Sequence, residues 1–474
     1  MTSRSSNTEK RTNLQKNGRP ARIAQLVAHD VFKDARVLKE AGSALEAGAQ
    51  VKIITRALPG SIETDKYLSV EGKPVVRIPG FSMYSALPES ALKKLRKAAG
   101  TSADTGTEVR QDTATQHTAE NSDGQVVSKK QHARTNRTSS QKVFKLMKDG
   151  GYRVANLLDA PVGLASWWSR VVTELRTAQP DLIHCNDANT LVPGYIASKV
   201  LKVPFVYDSH ELWLHRATRK HRIIAPHVEA VIEKVTVPAA AGVTTVSQSI
   251  ADWLAKEYAL TVTPTVVRNV PKAIENVPGR LRSMAGLSSS DRIISFSGGL
   301  NSTRGIDVVV KALAHLPANT HFVMLGFGTV EYLDELNELA KSIGVENRIH
   351  VVGPVKADEV AGTLSDSDVA YVYLKPDCLN HKFALPNKLF EAIAAGLPVV
   401  ASNLPEISKL VTSYGVGQVF DGEDPVDLAA AIEVVLGNGQ NFRDAAKKAR
   451  KDLNWDYEAE GLIQLYDDVL REMR

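Results

Sequence analysis

Cysteine is nearly absent. Cys185 and Cys378 are the two in 474 residues, and they lie far apart. That excludes a disulfide scaffold, supplies no metal-ligand spacing and suits a reducing compartment. Long apolar runs are absent as well: no stretch of about 18 apolar residues occurs, so no membrane-spanning helix is expected. Met1 to Pro20 is polar and lacks the apolar core of a secretory signal. Aromatic residues make up 6% of the chain, and the formal net charge is only +5. So mild a surplus suits phosphate-bearing substrates or an anionic membrane surface, and no nucleic-acid partner is expected. No Gly-x-Gly-x-x-Gly follows the first apolar strand, which argues against a dinucleotide oxidoreductase. The expected location is cytoplasmic, with any membrane contact peripheral and on the inner face.

What is present is a globular composition, 43% hydrophobic and 23% charged, in a chain too long for one core. Two domains are therefore expected. Residues 1–19 are rich in Ser, Thr, Asn, Lys and Arg, and read as a disordered arm. Arg22 to Ala28 then forms an apolar strand that ends in the polar loop His29 to Asp34. A helix with Ala35, Leu38, Ala41 and Leu45 on one face follows, and Val51 to Thr55 is the next strand. This βαβ opening predicts a parallel sheet. Further strands are expected over 75–78, 181–184, 204–207, 242–246 and 262–267, with helices over 189–201 and 222–237. The tract 99–141 has few large apolar residues and reads as a disordered insertion. Residues 142–158 mix basic and apolar positions, as either an interfacial helix or one packed on its own domain. After a linker near 270–288, strands recur over 293–297, 320–325, 348–352, 368–374, 398–401 and 416–420. Helices over 424–437 and 441–452 and a final amphipathic segment, Trp455 to Met473, complete the chain.

The most informative stretch is His381 to Ser408. Pro386 suits a first helical position. Leu389, Phe390, Ile393 and Ala394 recur at helical spacing, Gly396 stops the helix, and Val399-Val400-Ala401 is a strand. The helix N-terminus thus leaves a loop at a sheet edge, where free N–H groups favour an anion. Glu391, about one turn in, is placed to accept from a diol such as a ribose. Two loops after strands are rich in glycine: Gly298-Gly299 running to Arg304, and Gly326-Phe327-Gly328. Glycines let a backbone approach a phosphate closely. Two imidazoles and three carboxylates gather at the ends of two adjacent strands, in His184-Cys185-Asn186-Asp187 and Asp208-Ser209-His210-Glu211. By composition alone this is a metal or general-base site. Asp366-Ser367-Asp368 has the look of a metal motif, but it precedes a strand and so falls at the wrong end of the sheet.

The string His381 to Ser408 resembles the nucleotide-sugar signature of family 4 glycosyltransferases, retaining enzymes of GT-B fold. Asp34-Ala35-Arg36-Val37-Leu38-Lys39-Glu40-Ala41 resembles the same family's opening helix. The resemblance implies an α/β fold of two Rossmann-like doubly wound domains facing across a cleft. Residues 20–270 would form the acceptor domain and 271–454 the nucleotide-sugar domain, and 455–474 would be a helix crossing back to the first. It also implies transfer of a sugar from a nucleoside-diphosphate sugar to a saccharide or lipid-linked acceptor of the cell envelope, with retention and without metal or other cofactor. His210, Arg304 and Lys388 would be catalytic. Gly298, Gly299, Arg304, Gly326, Val355, Leu385, Pro386, Asn387, Lys388 and Glu391 would bind the donor, and Asp34, His184, Asp187, His210 and Glu211 would face the sugar and acceptor. The chain departs from the pattern twice. Phe383 stands where the family places its first glutamate, and Gly299 where it places an arginine. Two other readings stay open: a GT-B protein that binds a nucleotide or partner without catalysis, and a GT-B sugar-nucleotide epimerase.

Overall fold

Short apolar runs bounded by polar loops build two parallel sheets in this computed structural model. It describes residues 12–57, 66–80, 162–219, 225–272 and 278–472. The tract 99–141 and the helix expected over 142–158 lie outside the described residues.

The first sheet is assembled from β3 (Arg22–Val27), β4 (Gln50–Ala57), β5 (Tyr67–Val70), β6 (Lys73–Pro79), β7 (Leu182–Asn186), β8 (Phe205–Ser209), β9 (Gly242–Thr245) and β10 (Thr265–Val266). Its order is β10-β9-β8-β7-β3-β4-β6-β5. The pairs from β10 to β4 are parallel; β5 pairs antiparallel with β6 at the edge. The second sheet contains β11 (Arg292–Ser297), β12 (Thr320–Leu325), β13 (Ile349–Val352), β14 (Val369–Val372), β15 (Val399–Ser402) and β16 (Gly417–Phe420). All are parallel, in the order β13-β12-β11-β14-β15-β16. Central strands such as β7 are buried at every position, as expected of a parallel strand covered on both faces. Strand order reverses between β3 and β7 and between β11 and β14. Loops at the carboxyl ends beside those two points are where such sheets bind ligands. Both sheets belong to one compact unit, formed by the described residues up to Ile78 and from Arg170 onward.

The last helix, Trp455–Glu472, returns to the first sheet as expected. Trp455 N–H donates to Pro271 O and its indole to Ser43 Oγ, each at 2.9 Å. Tyr466 Oη lies 2.9 Å from His184 Nδ1, and a Cβ added at Gly242 would lie 2.8 Å from Leu465. The arm expected to be disordered through residue 19 is corrected in its last part. Leu14 is fully buried, and its N–H donates to Ala47 O at 2.8 Å. The strands β1 (Gln15–Lys16) and β2 (Arg19–Pro20) form a hairpin, and Lys16 Nζ donates to Leu470 O at 2.8 Å. Two-residue strands leave no periodicity to read, and their support comes from the far end of the chain.

Leu462 is fully buried on the returning helix. Leu462→Ala is expected to cost about 2–5 kcal/mol, measured as a lower midpoint in chemical denaturation. An unchanged midpoint would mean that the helix does not support the first sheet.

Candidate active site

Loops from both sheets enclose a cavity of about 280 Å³ lined by Asp34, Arg36, His210, Glu211, Val246, Asn269, Asn380, Ala384, Leu385 and Asn387. Asp34 caps the helix Ala35–Glu46, accepting from the N–H groups of Arg36 and Val37. Its free oxygen meets His29 Nε2 at 3.1 Å. His210 follows β8 directly. Its Nε2 lies 2.9 Å from Asp208 Oδ2 and its Nδ1 3.5 Å from Asp187 Oδ2. Burial opposes its charge, but Asp187 and then Asp208 override that and push its pKa up to about 10. His210 is therefore an imidazolium at neutral pH, a hydrogen-bond donor rather than a base. Glu211 pairs with Arg216 at 2.7 Å and accepts from Asn380 Nδ2 at 3.3 Å. Asn380 comes from the short helix Leu379–Phe383 of the second half, and its Oδ1 accepts from Leu212 N–H at 2.8 Å. Ser247 Oγ donates to Phe383 O at 2.7 Å, so the backbone at the departing position is tied to the first half.

His184 was expected on the sugar side, and the structure corrects this. It is fully buried inside β7, with Nδ1 on Tyr466 and Nε2 3.4 Å from Glu40 Oε2. Its pKa rises to about 9 although burial opposes the charge, because Asp208 and Glu40 attract it. It does not line the cavity.

The donor-side residues meet around the helix Asn387–Ala394. Pro386 precedes this helix as its cap instead of opening it, with extended backbone. Glu391 Oε2 accepts from Ser297 Oγ at 2.9 Å, and burial raises its pKa. Lys388 Nζ lies 4.1 Å from the ring centroid of Phe296 and makes no hydrogen bond among the described residues. Burial, with help from the nearby Arg304 charge, lowers its pKa to about 7. Arg304 ends the turn Ser302–Arg304 at the entry to the helix Ile306–Ala312. Two glycines are obligatory here. Gly326 has φ +159°, and a Cβ on it would sit 2.0 Å from Gly298 O; Gly298 has φ +120°. A Cβ on Gly299 would meet only Asn301 Nδ2, at 4.0 Å. Val355 is half-buried in the loop after β13. Asp366 and Asp368 accept from Leu281, Arg282 and Ile293 N–H groups, a structural role at the end away from the cavity.

Sequence reasoning missed Asn380, Asn269, Ser297 and Tyr466 as site neighbours; Asp208 was counted among the carboxylates at the strand ends without a role of its own. Arg36 lay within the quoted opening motif without an assigned role. It is buried, donating to both Asp208 oxygens at 2.9 Å and to Val267 O at 2.7 Å.

Both raised histidines favour the folded state in their charged form. Their contribution is complete below the unfolded value near 6.5. It is lost as pH rises through about 9 for His184 and about 10 for His210. Thermal stability is expected to fall between about pH 7 and pH 10, and by less in His184→Gln. A melting temperature constant across that range would contradict the assignment.

Comparison with known proteins adds to this geometry. The family model described as "Glycosyl transferases group 1" matches residues 280–452, and the one described as "Glycosyltransferase Family 4" matches residues 139–274. A D-inositol 3-phosphate glycosyltransferase of Xylanimonas cellulosilytica is 32% identical over 191 residues, 39% of this chain and 44% of that protein. One from Acidothermus cellulolyticus is 26% identical over 341 residues, 67% of this chain and 74% of that protein. The chain thus spans less than half the length of the first of these relatives. Among solved structures, sucrose-phosphate synthase from Thermosynechococcus elongatus superposes with a TM-score of 0.66 at 15% identity, covering 95% of this chain and 100% of that one. Anabaena HepE in complex with UDP superposes with a TM-score of 0.61 at 16% identity, with the same coverage. Two parallel sheets, a returning last helix and consecutive matches over both halves agree: the chain has the GT-B fold, and each half is similar to glycosyltransferases.

Proposed function

We propose that this protein transfers a sugar from a nucleoside-diphosphate sugar to a hydroxyl acceptor, with retention and without a metal. Lys388 carries the reading: a buried ammonium with no hydrogen-bond partner among the described residues, beside Arg304 and Glu391. Such a cation is poorly solvated and gains most when an anion arrives. Lys388, Arg304 and the N–H groups opening the helix Asn387–Ala394 hold the diphosphate and stabilise it as it departs. Glu391 accepts from the ribose hydroxyls. His210, as a charged donor, holds a sugar hydroxyl in the cavity, which has room for a single sugar ring. The named acceptor of the relatives, D-inositol 3-phosphate, makes a polyol phosphate the first acceptor to assay, beside saccharides and lipid-linked saccharides.

The donor is tested first by thermal shift with UDP, GDP and ADP, since a ligand of the folded state raises its stability. One of the three is expected to raise the melting temperature. With that nucleotide, calorimetry in buffers of different ionisation enthalpy should show proton uptake near pH 7, as Lys388 regains its charge. Lys388→Ala should abolish the uptake and weaken binding, and Glu391→Ala should weaken binding alone. No response to any nucleotide, or binding unchanged in both variants, would sink the proposal.

A further inference from the structure

The Asp208 carboxylate accepts four hydrogen bonds. Oδ1 takes Arg36 Nη2 at 2.9 Å and Thr244 Oγ1 at 2.8 Å; Oδ2 takes Arg36 Nε and His210 Nε2, each at 2.9 Å. These partners come from three places in the fold: the first helix, β9 and the loop after β8. Thr244 is Asp208's register partner across β8 and β9. Arg36 is anchored in turn by Val267 O and by Glu40 Oε1 at 2.9 Å. A carboxylate bound this way has no free rotation, because turning it breaks the guanidinium fork.

A buried ion pair of this kind would suffice as a purely structural tie. His210 makes the difference. Thr244 and Asp208 are buried away from the cavity and Arg36 borders it with only 3% of its side chain accessible, whereas His210 keeps 17% of its side-chain surface there. With Nε2 held from below, only Nδ1 remains to meet a ligand, and it now faces Asp187 at 3.5 Å, beyond good hydrogen-bond length. We propose that Asp208 is the positioning residue for His210: pinned by Arg36 and Thr244, it retains the Nε2–H and fixes Nδ1 as the nitrogen that meets the donor sugar. A sugar hydroxyl oxygen accepts the Nδ1–H in place of Asp187. The charged groups facing His210 are Asp208, Asp187, Arg36 and Asp34. From the second half, Asn380, Leu385 and Asn387 line the same cavity and carry no charge.

This deepens the proposed transfer reaction, and its kinetic arm rests on that reading. The test uses the full chain, UDP-glucose as donor and water as acceptor, with UDP release followed by a coupled assay. Asp208→Asn is expected to lower kcat on the order of 10²-fold, leaving KM and the UDP dissociation constant within twofold. Thr244→Val should lower kcat less, and Thr244→Ser, which keeps the hydroxyl, should restore it. Nitrogen-15 spectra of histidine-labelled protein should show the His210 midpoint falling in Asp208→Asn. Folded Asp208→Asn and Thr244→Val proteins with native kcat would overturn the proposal. If Asp208→Asn does not fold, the Thr244→Val and Thr244→Ser pair decides alone. If the native chain releases no UDP, UDP-glucose is not its donor and the spectra decide: a His210 midpoint unmoved in Asp208→Asn, or, where that variant does not fold, in Thr244→Val, rejects the positioning role.

Discussion

The contact on which most of the first half depends is the buried pair of Arg36 and Asp208. Removing both charges from water costs several kcal/mol per ion. That cost is offset because the fork meets both carboxylate oxygens and its remaining nitrogen finds Val267 O. The pair ties the first helix to β8, and through Val267 to the strand leading out of the first half. Glu40 and His184 lie against the same charges. Breaking one partner would strand the others in a dry interior, so the carboxyl ends of β3, β7 and β8 are fixed together or not at all.

The second half handles charge in the opposite way. In the first, Arg36, His184 and His210 all lie against carboxylates. In the second, Lys388 is left with an aromatic ring and a carboxylate that burial itself pushes towards protonation. The loops around it approach so closely that only glycine fits at Gly326. One side of the cavity is thus electrostatically complete and rigid, and the other is incomplete in the sense that an anionic ligand would correct.

Much of this was legible in the sequence. Alternating apolar runs and helical spacings located nearly all the parallel strands, because such strands are buried on both faces and stand out as continuous apolar words. Asp34, His210, Glu211, Leu385 and Asn387 do line one cavity. Telling His184 from His210 was beyond the pattern. Both end apolar runs, but His184 is the third residue of β7 and His210 the first beyond β8, and a strand buried at every position offers no alternation to mark which way a side chain faces. Asn380 was invisible for another reason: its partners, Leu212 and Glu211, lie more than 160 residues away. The short hairpin at Leu14–Pro20 was unreadable because its burial depends on the last helix.

That last helix has a consequence for the order of folding. Tyr466 meets His184 across 282 positions of chain, and Lys16 meets Leu470 across 454. On a ribosome, the first sheet would be complete in its strands long before its final buttress exists. The imidazole in its core would wait, unpartnered on one nitrogen, while the whole second half was made. The nascent first half is therefore the segment with most to gain from a chaperone, because its closing step waits until the second half has been made.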